Sequence, residues 1–137
     1  MNQEMISVMH ECCTRSLRGE ITFPEVVRKL QAIGVERYHA DFSRHEITYY
    51  LLSGESHIEP AGWHVGKLAE VFSANAVGVA VKQIQKGEIL YTEFLHEIMA
   101  AGCVGYFVQI TGRRVLYFGR DGGFHLEPFP SAPRAQP

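Results

Sequence analysis

Apolar residues at the start of the chain follow the spacing of a helix face. From Met5 to Cys12 they recur every three to four positions, and Gly19 is a natural end for that helix. A second apolar stripe runs over 26–33, behind a proline that the first helical turn tolerates, and it closes at Gly34. The pattern therefore predicts two consecutive helices.

The period then changes from about four to two. Apolar and polar residues alternate over 38–43, as expected for a strand with one buried face. A turn near Arg44 leads to residues 47–51, which are rich in β-branched and aromatic side chains, and a turn over 53–55 precedes a short strand at 56–59. The first part of the chain is thus predicted to be helix–helix–strand–strand–strand.

The same unit recurs later in the chain. When Gly19–Pro60 is placed over Gly87–Pro128, an offset of 68 without gaps, twelve of the 42 positions are identical. Composition alone would give only about two or three. The identical pairs are Gly19/Gly87, Glu20/Glu88, Ile21/Ile89, Glu25/Glu93, Ala32/Ala100, Gly34/Gly102, Tyr38/Tyr106, Tyr49/Tyr117, Gly54/Gly122, His57/His125, Glu59/Glu127 and Pro60/Pro128.

The second copy has its own signals. Ser73 is a good N-cap for a helix over 73–86, and Thr92 is a suitable cap for the next helix, which Gly102 closes. Strands are expected over 104–110, 114–118 and 124–127.

The predicted fold class is therefore α+β, with two pseudo-symmetric units over 1–60 and 69–128. Residues 61–68, which include Trp63, form the linker, and residues 131–137 form a flexible tail after a single domain over 1–130. Pairing the units buries both apolar sheet faces, which predicts about six mostly antiparallel strands packed against helices. Trp63 is expected to cover the boundary between the units. Whether the two half-sheets join edge to edge stays open.

Charge and hydropathy narrow the function classes. The chain of 137 residues has a net charge of −2, which argues against nucleic acid as a partner. No apolar run approaches the ~20 residues that span a bilayer, so no membrane partner is expected. The N-terminus lacks a basic region ahead of an apolar stretch, and we therefore expect a cytoplasmic location.

Three cysteines, Cys12, Cys13 and Cys103, occur without a CxxC spacing. We expect buried, reduced thiols rather than a zinc or redox site. No residue pattern indicates a catalytic nucleophile, and no cofactor is implied.

Polar residues on the predicted strands are the candidate site residues. His39 and Asp41 point away from the apolar face, where the second unit has Phe107 and Gln109. This departure between the copies suggests that one unit acquired a task. The tyrosines of the predicted strands could also form a binding cluster. Aromatic residues in strands usually pack in a core, however, and core packing is the favoured interpretation.

A His-x-Glu triplet occurs in both units. His57 and Glu59 share one face of a strand, and so do His125 and Glu127. If the two pairs converged on the pseudo-twofold axis, they could bind a divalent metal. The favoured interpretation is an ordinary His–Glu contact that was duplicated with the unit.

Several segments resemble the YbcV-like family of small bacterial and prophage-encoded proteins. They are Phe23–Val27, Gly34–Asp41, Thr48–Tyr50 with Gly54–Glu55, and Ala100–Tyr106. The resemblance covers nearly the whole chain, to about Pro130. It implies an α+β fold and unknown function, and some members carry the label "phage envelope protein". It supplies no catalytic residue.

Three functions compete on this evidence. The leading hypothesis is a non-enzymatic binding or interaction domain that forms a homodimer. The second is a small-molecule or metal-binding protein, or an enzyme, that uses the His39/Asp41 face with His57 and Glu59. The third, a phage structural component, rests on the family label.

Overall fold

A computed structural model describes residues 1–63 and 66–130. Predicted segments 64–65 and 131–137, in the linker and the tail, lie outside the described residues. The described residues form four helices and six strands, in two helix–helix–strand–strand–strand units. The first unit contains α1 (Gln3–Leu17), α2 (Phe23–Ala32), β1 (Val35–Asp41), β2 (Glu46–Leu51) and β3 (Ser56–Pro60). The second contains α3 (Ala74–Gln85), α4 (Tyr91–Ala100), β4 (Cys103–Gln109), β5 (Arg114–Gly119) and β6 (Phe124–Pro128).

The helix starts show how the sequence sets the elements. The Ser73 side chain accepts a hydrogen bond from the backbone N–H of Ala76, as expected for an N-cap. The predicted cap at Thr92 is wrong, because α4 begins at Tyr91. Glu93 accepts a hydrogen bond from the backbone N–H of Leu90 at 2.9 Å, and this places the start of the helix one turn ahead of the glutamate.

The sheet joins the two units edge to edge. Its strand order is β3-β2-β1-β4-β5-β6, and every neighbouring pair is antiparallel. In the central pair, β1 and β4, His39 is the partner of Phe107. These two residues are separated by the repeat offset of 68, so the pseudo-twofold axis passes between them.

The backbone repeats as closely as the sequence. Within residues 1–63 and 66–130, those with φ in the left-handed region fall into four pairs at the same offset: Gly19/Gly87, Gly34/Gly102, Gly54/Gly122 and His45/Arg113. The register irregularity of β1 between Val35 and Arg37 recurs in β4 between Cys103 and Gly105. The two units are thus copies of one backbone plan and not merely two similar sets of elements.

All four helices pack on one face of the sheet. Tyr38, Ala40 and Phe42 are buried on that face, together with Tyr106 and the rest of the inward-facing set, as the alternation predicts. The opposite face, which we call the outer face, has no helix against it among the described residues. Trp63 is only 6% exposed and packs edge-on against Phe42 at 5.5 Å, so it is a buried residue. That it covers the boundary between the units stays a prediction.

Candidate functional site

Residues of both units line a cavity of about 640 Å³, which we call the central cavity. It lies between the helices of the two units, with the sheet as its floor. Both units contribute equivalent side chains. The equivalent lining pairs are Cys13/Val81, Ser16/Ile84, Leu17/Gln85, Gly19/Gly87, Ile21/Ile89, Thr22/Leu90, Phe23/Tyr91, Val26/Phe94, Tyr38/Tyr106, Ile47/Val115 and Tyr49/Tyr117.

Four strand tyrosines form much of the cavity floor. Tyr38 and Tyr49 lie 5.4 Å apart between ring centroids, and their equivalents Tyr106 and Tyr117 lie 5.5 Å apart. Burial raises the pKa of all four phenols. They are therefore neutral hydroxyls that can donate or accept a hydrogen bond.

One further tyrosine connects a helix with this floor. The hydroxyl oxygens of Tyr91 on α4 and Tyr106 on β4 are 2.6 Å apart, which is a short hydrogen bond. The predicted preference for core packing of the tyrosines is correct for burial, yet the same rings also face open space in the cavity. Tyr50 differs, since it lies on the outer face beneath the guanidinium of Arg37.

The rim of the cavity consists of the two helix–helix turns and the segment after β6. Thr22, Pro24 and Leu90 line the cavity and are exposed, and Leu90 is 59% exposed. Phe23 packs edge-on against Phe129 across this rim, with ring centroids 5.3 Å apart. The cavity therefore opens to solvent between the helix–helix turns.

The cysteines are free, buried thiols, as the sequence predicts. Burial raises the pKa of Cys12, Cys13 and Cys103 to about 11. Because the thiolate is the reactive form, these side chains are inert near neutral pH. Cys12 and Cys13 line the cavity as small apolar surfaces.

One carboxylate at the first edge of the sheet contacts two histidines. His57 donates a hydrogen bond from Nε2 to Glu59 Oε2 at 3.0 Å, and His10 Nδ1 of α1 contacts Glu59 Oε1. The Glu59 side chain is 9% exposed, whereas the His10 side chain is 63% exposed. We call this group the first junction, because it connects α1 to the edge strand β3.

The second edge repeats the carboxylate with different partners, in a group that we call the second junction. His125 Nε2 donates to Glu127 Oε1 at 2.9 Å, and Lys82 Nζ of α3 lies 3.4 Å from Glu127 Oε2. Burial alone would raise the pKa of Glu127, but the hydrogen bonds from His125 and Lys82 outweigh it and lower that pKa. Gly78, the equivalent of His10, instead leaves room for the His125 ring.

The two His-x-Glu pairs do not converge, as a shared metal site would require. The two pairs occupy β3 and β6, which are the opposite edges of the sheet. Five strand spacings of about 4.8 Å put them about 24 Å apart. Within residues 1–63 and 66–130, no group of three or more His, Cys, Asp and Glu side chains is arranged to hold a metal ion.

His39 and Asp41 lie on the outer face, as the alternation predicts, but they do not line the central cavity. The His39 ring stacks on Phe107 at 4.2 Å with an interplanar angle of 16°. Asp41 Oδ1 accepts hydrogen bonds from the backbone N–H groups of Ser43 and Arg44, so it stabilises the turn that follows its strand. Neither contact brings these two groups to one reacting centre.

Sequence reasoning missed His10 and the cavity. The repeat alignment starts at Gly19, so the pairing of His10 with Gly78 in the preceding helix is outside it. At the fixed offset of 68, that pair is the signal that could have identified the first junction. The cavity has no comparable signal, because it arises from packing between the two units.

Comparison with known families shows to which protein family the chain belongs. Residues 18–127 match the family described as "Protein of unknown function (DUF1398)". The chain belongs to the DUF1398 family. No curated protein matches the chain. Membership of DUF1398 covers most of both units, and the narrower resemblance to the YbcV-like proteins, with its phage label, stays a prediction.

The family description names no activity, partner or location. None of the helices in the described part of the chain is long and apolar enough to cross a bilayer. The expected cytoplasmic location and the absence of nucleic-acid and membrane partners stay predictions.

Proposed function

We propose that this protein is a non-enzymatic domain that binds a small, largely apolar molecule in the central cavity. The observation that carries the proposal is the cavity of about 640 Å³, lined by both units. Ligand sites typically have about 300–1,000 Å³, apolar walls and a few polar groups. The tyrosine hydroxyls and Glu127 supply such polar groups here.

The size of the cavity argues against a packing fault. An enclosed apolar void costs about 24 cal/mol per Å³, so 640 Å³ would cost about 15 kcal/mol. This cost reaches the upper end of the total stability of a typical domain, which is about 5–15 kcal/mol. An opening through the rim avoids most of that cost because water can enter the cavity. Displacement of this water by an apolar ligand then favours binding.

Trp63 provides a direct test. It is the only tryptophan of the chain, and it lines the cavity. Titration with a neutral naphthylamine dye should change Trp63 emission and raise dye emission with saturation. If Trp63 emission and dye emission both stay unchanged up to the solubility limit of the dye, the proposal is contradicted.

Two valines of α3 give a matched pair of variants. Val81 is buried and lines the cavity, whereas Val79 is 53% exposed and does not line it. Val81→Phe should weaken dye binding about tenfold because the added ring occupies the space, while Val79→Phe should leave it unchanged. Equal affinities for both variants would place the dye elsewhere.

We also propose that the outer face mediates self-association with a second copy of the chain. Three of its side chains, Ile58, Phe124 and Leu126, are 41–60% exposed. Its strand positions carry two arginines and two carboxylates, so a face-to-face pair has no net charge to oppose it. These residues are Arg37, Arg114, Asp41 and Glu46.

Light scattering tests this second proposal. The wild-type protein should have the mass of a dimer at high micromolar concentration. Leu126→Glu on the outer face should give the monomer mass, whereas Val79→Glu on the exposed side of α3 should not. A monomeric wild type at the same concentration would remove the proposal.

A further inference from the structure

We infer that the ligand of the central cavity carries an amine or other cationic group, which Glu127 binds. This inference rests on the proposed binding function and adds the chemical class of the ligand. It is carried by the composition of the lining, in which Glu127 is the single charged residue among the described residues.

The lining contains no lysine, arginine or histidine within the described part of the chain. An anionic ligand would therefore place its charge against apolar walls and near a carboxylate, which disfavours fatty acids and phosphorylated ligands. A neutral ligand would be accepted, but it would leave the carboxylate without a partner from the ligand.

Glu127 has capacity for a further donor. A carboxylate offers about four acceptor positions, and His125 and Lys82 each use one oxygen. The contact with Lys82 is long, at 3.4 Å, and the Lys82 side chain is 62% exposed. A ligand ammonium group can therefore join or replace Lys82 at Oε2.

The aromatic floor favours the same class of ligand. The faces of tyrosine rings carry negative electrostatic potential and attract cations, with about 0.5–2 kcal/mol per contact depending on desolvation. Tyr38 and Tyr49, and their equivalents Tyr106 and Tyr117, all line the cavity, so a cation bound there lies close to aromatic rings. The walls thus suit a planar apolar body, and the one charged residue suits a positive group.

The other glutamate supplies the matched control. Glu59 is the equivalent of Glu127 at the opposite edge and shares its histidine contact, but it does not line the cavity. The difference follows from the helix contacts. His10, near the middle of α1, contacts Glu59, whereas Lys82, one turn later than the equivalent of His10, contacts Glu127.

The test uses three anthracene probes that differ in one substituent on the central ring: aminomethyl, hydroxymethyl or carboxylate. Binding is measured by energy transfer from Trp63 to the anthracene. The amine should bind wild-type protein about tenfold tighter than the alcohol, a ratio that corresponds to about 1.4 kcal/mol, and the carboxylate should bind most weakly. Glu127→Gln should abolish the preference for the amine, and Glu59→Gln should retain it.

A further variant keeps the inference testable if Glu127→Gln does not fold. Lys82→Met leaves Glu127 Oε2 without its lysine contact, so it should increase the preference for the amine. Equal binding of amine and alcohol to the wild type, or a preference that survives Glu127→Gln, would overturn the inference while the cavity proposal stands. Absence of energy transfer with all three probes would overturn both.

Discussion

At the first junction, Glu59 of β3 contacts His57 on its own strand and His10 on α1. At the second, Glu127 of β6 keeps the strand histidine, His125, but receives Lys82 from α3 in place of a helix histidine. The strand partners are identical in the two units, whereas the helix partners are not. The difference teaches that the strand frame stayed constant after duplication and that the helix surfaces diverged. As a result, Glu59 is enclosed by two histidines away from the cavity, whereas Glu127 lines it.

The largest effect is expected where equivalent glycines have different surroundings. Gly34 and Gly102 both have positive φ, but a Cβ on Gly102 would lie 2.3 Å from the carbonyl oxygen of Val71, and a Cβ on Gly34 would meet nothing within 4 Å. Gly34→Ala should cost about 1 kcal/mol from the left-handed backbone alone. Gly102→Ala should cost about 3 kcal/mol or more, because the backbone of 71–72 must move as well. Urea unfolding measures both, and equal losses would contradict the comparison.

The two carboxylates should differ in their contribution to stability. Glu59→Gln removes a buried charge that two histidines contact, and a loss of about 2 kcal/mol is expected. Glu127→Gln should cost about 1 kcal/mol, since Lys82 is mostly exposed and its contact is long. Thermal unfolding with Glu97→Gln, an exposed residue of α4, as the control tests the order. A larger loss of stability for Glu127→Gln than for Glu59→Gln would contradict this prediction.

A change of opposite sign is expected at Gly78. Alanine there should stabilise the protein by about 0.5–1 kcal/mol, because glycine is a poor residue inside a helix. The new Cβ would lie 3.4 Å from the His125 ring, which is an ordinary contact. A lower midpoint of urea unfolding for Gly78→Ala than for the wild type would show that the second junction needs the glycine to seat His125.

The smallest effect on stability is expected at His39, which pairs with Phe107 at the pseudo-twofold axis. Burial lowers the pKa of His39, and the carboxylates of Asp41 and Glu46 offset only part of this. A lowered folded-state pKa contributes stability above the unfolded value of about 6.5, and that contribution is lost as the pH falls through the folded value. His39→Phe, which copies Phe107, should make the decrease of unfolding free energy between about pH 7 and pH 5 shallower by a few tenths of a kcal/mol. An unchanged slope would mean that His39 does not contribute to it.

Local patterns predicted most of the fold. The identity of pairs such as Gly34/Gly102 and Tyr38/Tyr106 located both units, because turns and inward-facing aromatic positions are set within each unit. The error at Thr92 has the same origin, since a side chain that can cap a helix does so only when the backbone starts there. The edge-to-edge joining of β1 and β4 could not be predicted, because strand order depends on contacts between residues far apart in sequence.

The site was predictable only in part. The contact between His57 and Glu59 follows from their spacing on one strand, and so does that between His125 and Glu127. Their positions at opposite edges follow from strand order and were therefore out of reach. The central cavity depends on how two helix pairs approach each other, and no single residue pattern encodes the space that they leave.

The pairing of β1 with β4 has a consequence for the order in which the chain folds. Partners within a unit are close in sequence, as with Asp41 and Glu46, whereas His39 and Phe107 close a loop of 68 residues. Since the entropy cost of closure grows with loop length, hairpins within each unit form ahead of the central pairing. The cavity lies on the helix side of that pairing and is lined by both units, so it is complete only after this long-range pairing has formed.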